Sequence, residues 1–193
     1  MRFLAEAIAH LARALAIREQ KNDTVYVGTT CTVLGEAYLA TGKPKEARTM
    51  LARAVEVWEH SESPSDLAAA LKGLAKAEIG LGRPLAAIPL VDRALTLTKD
   101  LPTNNPDFQG DARFVLADAL WSTGQRRRAL AVVREAHAIY TGLGKSASSE
   151  RDEVAAWLRA RVGALSERAP SVSPDFSLAQ LPRPAQSHRG RSP

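Results

Sequence analysis

The side chains in this sequence with the means to do chemistry are few and scattered. The 193 residues hold one cysteine, Cys31, and four histidines, His10, His60, His137 and His188. The histidines fall at no metal-ligand spacing, so no metal site and no cofactor is expected. Cys31 lies at an apolar position of a periodic pattern, where a small buried hydrophobe is expected before a nucleophile. Gly42-Lys43 and Gly82-Arg83 are too short for a phosphate loop and read as turns between helices. Arg126-Arg127-Arg128 with Arg134 is the densest basic cluster; a solvated outer face is preferred over a phosphate contact. No catalytic constellation emerges, and the chain is not expected to be an enzyme.

These residues must be positioned by helices. Hydrophobic residues make up 45% of the chain and aromatic residues 5%. The apolar content is mostly Ala and Leu, which suits close-packed helices better than a sheet core. The net charge of +5 is weak evidence for nucleic acid without a basic patch. A single cysteine excludes an internal disulfide. No run reaches the ~18 apolar residues of a membrane span, and Glu6, His10 and Arg13 interrupt any signal-peptide core. A cytoplasmic protein without membrane contact is expected.

The stretch Leu34 to Arg48 organises the rest. It reads as a helix end, a break at Gly42, and a new helix from Pro44, where a proline costs nothing. Weaker copies occur at Leu74-Ala75 with Gly82-Arg83-Pro84, and at Leu116-Ala117 with Gly124-Gln125. Ala7, Ala47, Ala87 and Ala129 are spaced by 40, 40 and 42 residues. A fixed period of this size marks a repeat array. The expected architecture is all-α: a right-handed superhelical solenoid of antiparallel helix pairs. It divides into a half repeat at 1–20, full repeats at 24–60, 64–99 and 106–141, a capping helix at 148–168 and a tail at 169–193.

Caps are expected at Asp23 or Thr24, at Ser63 before Pro64, and at Asn105 before Pro106. Pro89 falls inside a helix, to be absorbed or to kink it. Gly142 and Gly144 end the last pair, and Ser149 with Asp152 reads as a capping box. The capping helix carries Val154, Trp157, Leu158, Val162 and Leu165 on one face. The tail holds five of the eleven prolines and five serines without apolar period, the composition of a disordered segment. The half repeat lacks its first helix. Its apolar face is expected either to meet another chain, by self-association, or to mark the C-terminal part of a longer protein; the second is preferred.

Cys31-x2-Leu34-Gly35-x2-Tyr38, followed by Ala47-x3-Leu51 and Ala54, resembles the tetratricopeptide-repeat pattern. Leu71-x2-Leu74-Ala75 with Ala87, Val91 and Ala94 repeats it, as do Leu116-Ala117 with Ala129, Val133 and Ala136. The long period and the run Ala14 to Glu19 are similar to kinesin-light-chain-like arrays. The resemblance implies a concave groove lined by the first helix of each pair, binding a peptide or partner domain as an interaction scaffold. Carried over, the groove positions are Thr29, Thr32, Glu36 and Leu39; then Ala69, Lys72, Lys76 and Ile79; then Asp111, Phe114, Asp118 and Trp121. Phe114 and Trp121 share a helix face. They either anchor an apolar ligand side chain or pack under the capping helix.

The family's carboxylate clamp is not matched, since Thr32, Glu36, Asp111 and Val115 stand where basic or amide residues are needed. The paired asparagines of kinesin light chains are replaced by Thr32-Val33, Lys72-Gly73 and Phe114-Val115. The implied partner is a protein or peptide; a small-molecule substrate and nucleic acid are disfavoured. The alternative implied by such arrays is a regulatory C-terminal segment of a larger signalling enzyme, such as a bacterial serine/threonine kinase. A weak nucleic-acid-binding module ranks third.

Overall fold

The computed structural model describes residues 2–101 and 105–167. The expected tail at 169–193 lies outside them. Helix α1 spans Arg2–Gln20; α2 and α3 span Thr24–Ala40 and Pro44–Glu59; α4 and α5 span Pro64–Gly80 and Pro84–Thr98. Helices α6 and α7 span Pro106–Ser122 and Arg126–Leu143, and α8 spans Ser148–Glu167. Successive helices pack against each other, α2 on α3, α4 on α5 and α6 on α7, while α3 joins α4 and α5 joins α6. The result is an all-α solenoid of antiparallel pairs with α8 laid on its end.

The turns inside the pairs share one local geometry. Gly42, Gly82 and Gly124 have φ of +70°, +73° and +81°. The amide after each reaches five residues back: Lys43 N to Tyr38 O at 2.9 Å, Arg83 N to Glu78 O at 2.8 Å and Gln125 N to Leu120 O at 2.9 Å. This double-bonded ending satisfies the last carbonyls and needs a left-handed residue, which glycine supplies without strain. Asn22 (φ 53°) does the same between α1 and α2, with Asp23 N bonded to Arg18 O at 3.1 Å.

Helix starts follow the sequence in part. Asn105 caps α6, accepting from Asp107 N at 3.1 Å and Phe108 N at 3.3 Å. Asp23 caps α2. Ser63 occupies the cap position of α4, but its hydroxyl turns to Asp66 instead. The capping box expected at Ser149 is not formed. The chain enters α8 directly from a single 3₁₀ turn, Gly144–Ala147, and Asp152 pairs with Arg151. Gly142 does not end α7; it lies within the helix, and Gly144 (φ +71°) ends it. Pro89 is absorbed in α5. The carbonyl it leaves without a helix donor belongs to Leu85, an exposed residue.

The core lies between the helices of each pair and between neighbouring pairs. Ala47, Leu51, Ala54, Ala87, Val91, Ala94, Ala129, Val133 and Ala136 are fully buried. Small residues let backbones approach until nothing larger fits. A Cβ on Gly35 would sit 2.4 Å from Leu51 Cγ, and one on Gly110 would sit 2.7 Å from Tyr140 Cζ. By contrast α1 leaves its copy of this face open, with Ala7 exposed and Phe3 84% exposed. On α8, Val154 and Trp157 are buried as expected, whereas Val162 is 41% exposed.

Candidate functional site

The first helices of the pairs carry the positions expected to line a groove, and the structure treats the three repeats differently. In the first, Thr29 and Glu36 are exposed, Thr32 accepts from Trp58 Nε1 at 3.4 Å, and Leu39 packs on the junction of Ala47, Leu51 and Ala77. In the second, Ala69, Lys72, Lys76 and Ile79 are half-buried. In the third, Asp111, Phe114, Asp118 and Trp121 are half-buried too.

The charges of the second and third repeats meet across the helices. Lys72 Nζ lies 2.5 Å from Asp111 Oδ2, and Lys76 Nζ lies 3.2 Å from both oxygens of Asp111. Burial alone would raise the Asp111 carboxyl, but the two ammonium groups outweigh it and hold it below the ordinary carboxylate value. Lys72 also stands 4.8 Å from the centroid of Phe108.

The aromatic face is met by the capping helix. Trp157 of α8 contacts Phe114 and Trp121 edge-on, with centroids 6.3 and 5.5 Å away. Asp118 accepts from Trp157 Nε1 at 3.2 Å and from Arg161 Nη2 at 3.1 Å. Phe114 and Trp121 both pack against Trp157 of the cap, and Asp118 is bonded to it. Phe114 keeps one face on an open cleft.

That cleft, 440 Å³, is lined by Lys72, Asp107, Phe108, Asp111, Phe114, Tyr140, Glu150 and Glu153. A second cleft of 390 Å³ adjoins it, sharing Asp111, Phe114 and Glu153 and adding Lys76, Ile79, Asp118 and Trp157. Burial, then Asp111, Glu150, Asp107 and Glu153, push the Tyr140 hydroxyl well above the usual phenol value. Tyr140, Glu150 and Glu153 were missed by sequence reasoning as site residues. Tyr140 was legible: it stands 42 residues after Thr98 and 82 after Trp58, in register with both. The two glutamates were not, because they lie on a helix outside the repeat.

Elsewhere, Cys31 is wholly buried, and burial is the chief cause of its raised thiol pKa. Among the described residues no group of His, Cys, Asp and Glu could hold a metal ion. In the arginine cluster, Arg128 pairs with Asp92 at 3.0 Å and Arg126 stacks over Trp121 at 5.6 Å. Arg128 belongs to a row of outer ion pairs joining second helices: Glu19 with Arg53, Glu59 with Arg93, Asp92 with Arg128. The spacing of Arg53 and Arg93, 40 residues, was a readable signal for this row.

Residues 1–60 match the tetratricopeptide-repeat family model. Solved structures extend the likeness along the chain. The tetratricopeptide-repeat domain of Arabidopsis FLU is 19% identical with a TM-score of 0.55, over 60% of this chain and 95% of that one. The fold is a tetratricopeptide-repeat array. A Podosopora anserina putative kinesin light chain with nearly identical tetratricopeptide-like repeats is 22% identical, with a TM-score of 0.57, over 74% of this chain and 69% of that one. MamA is 20% identical with a TM-score of 0.53, over 86% and 91%. No curated protein matches the sequence. No helix of the described array is long and apolar enough to cross a membrane.

Proposed function

We propose that the chain is a protein-interaction scaffold that takes a peptide or partner segment along the concave face formed by α2, α4 and α6. The observation that carries this reading is what α4 and α6 leave open toward two clefts, although both helices of every pair pack, the first ones burying Leu71, Ala75, Leu116 and Leu120 among others. The second helices spend their small and branched residues on packing, with Ala47, Leu51, Ala87, Val91, Ala129 and Val133 fully buried. The first helices leave half-buried ionic and aromatic side chains around two adjoining clefts. Such a surface, partly apolar with a few placed charges, fits a bound side chain better than bulk solvent.

A displayed library of random peptides tests it. Peptides selected on the native chain are expected to lose tenfold or more in affinity against a Glu36→Lys, Lys76→Glu double variant. Selected peptides that bind the variant equally, or a library that yields no binder, would overturn the reading.

A further inference from the structure

Resting on that scaffold reading, we propose that the cleft between α4, α6 and α8 takes a lysine or arginine side chain from an extended basic segment of a partner protein. The cleft is lined by one cation, Lys72, against four carboxylates, Asp107, Asp111, Glu150 and Glu153. This sign opposes the chain's net charge of +5. The one lining cation is already matched, since Lys72 lies 2.5 Å from Asp111, and Lys76 reaches the same carboxylate. No basic side chain among the described residues pairs with Asp107, Glu150 or Glu153.

Tyr140 is an independent indication. Its side chain is buried, with 3% exposure, and lines the cleft, yet its hydroxyl forms no hydrogen bond among the described residues. A hydroxyl that a buried ring presents to a cleft without a protein partner is a place for a ligand atom. Burial, and then the four carboxylates, raise this hydroxyl's pKa, so it stays protonated and both donates and accepts. The walls fit a cation with an aliphatic stem. Phe108, Phe114 and Tyr140 supply aromatic surface, and Lys72 already places its ammonium 4.8 Å from the Phe108 centroid. A phosphate or a peptide carboxylate would meet the same carboxylates as repulsion.

The test uses the full chain and a fluorescein-labelled decapeptide of alternating lysine and alanine, with its glutamate counterpart, read by fluorescence anisotropy. The basic probe is expected to bind at least tenfold tighter than the acidic one. Asp107→Asn, Glu150→Gln and Glu153→Gln together are expected to weaken it about tenfold, and Tyr140→Phe a few-fold. Glu46→Gln, Glu56→Gln and Glu62→Gln together, with the same change in net charge elsewhere, are expected to leave it unchanged. All these variants keep side-chain shape, and circular dichroism verifies their folding.

Equal loss in both triple variants, or tighter binding of the acidic probe, overturns the assignment. Tighter binding of the basic probe by Arg183→Ser, Arg189→Ser, Arg191→Ser would hand the cleft to the chain's own C-terminal segment, and overturns the assignment to a partner. If library peptides bind the concave face but the basic probe does not, the charge assignment falls and the scaffold reading stands. If no peptide of any charge binds, both fall.

Discussion

At the scale of single residues, three glycines of this chain do different work. Gly110 is a packing glycine: a Cβ there would sit 2.7 Å from Tyr140 Cζ, in a place the ring cannot leave without opening the site. Gly110→Ala is expected to destabilise the fold by about 1–3 kcal/mol in chemical denaturation. Gly163 and Gly142 lie in helices with open space around them. There the added methyl meets nothing and only the helix propensity changes, so Gly163→Ala is expected to stabilise by about 0.5–1 kcal/mol. Asp111 carries a pH signature. Its folded-state pKa is lowered from 3.8, because Lys72 and Lys76 outweigh the effect of burial. At acid pH the unfolded chain therefore binds more protons than the folded one. The contribution of Asp111 is present above the ordinary value and lost as pH falls through the lowered one. Denaturation midpoints are expected to fall less steeply with acid in Asp111→Asn than in the native chain, measured below pH 3.8.

At the scale of elements, the capping helix decides most. α8 is held through Trp157, which is 7% exposed, edge-on to Phe114 and Trp121, and bonded to Asp118. Arg161 adds a bond to the same carboxylate and lies 4.1 Å from the centroid of Trp157. Truncating so large a buried aromatic costs about 3–5 kcal/mol. The loss falls on α8, whose contacts are largely with the last pair. Trp157→Ala is expected to abolish slow hydrogen exchange in the described part of α8 while α2 to α5 keep theirs. Uniform loss across all helices would show that α8 is not a separable cap. Because α8 also supplies Glu150 and Glu153, the same variant should weaken binding of a basic peptide.

At the scale of the molecule, each pair leans on its neighbours, and stability follows position in the row. The equivalent alanines Ala47, Ala87 and Ala129 are fully buried, yet Ala7 on α1 is exposed. Helix α1 is held chiefly by α2, by Leu15 in the core and by the Glu19–Arg53 pair. A surface pair contributes at most about 1 kcal/mol. Hydrogen exchange is therefore expected to be fastest in α1 and slowest in α4 to α6. Equal protection of α1 in the isolated chain would mean that its open face is covered by a second copy, and sedimentation would then show a dimer.

The periodic alanines, the turn glycines and the prolines after them were enough to place eight helices within a few residues. Their signals are local: a left-handed glycine or a first-turn proline acts on its own few bonds, wherever the helix later packs. The second helix of each pair was legible for the same reason, through the register of Ala47, Ala87 and Ala129. What only the tertiary structure decided is which charges meet. Lys72 and Asp111 are 39 residues apart, and Arg161 and Asp118 are 43 apart. Those meetings depend on how one pair stacks on the next and on where α8 lands, and neither has a period to read. The lone cysteine proved to be packing, and of the described histidines His10 and His60 are exposed and His137 is half-buried. The open cleft is built instead from Tyr140, a repeat position, and from two glutamates that no repeat contains.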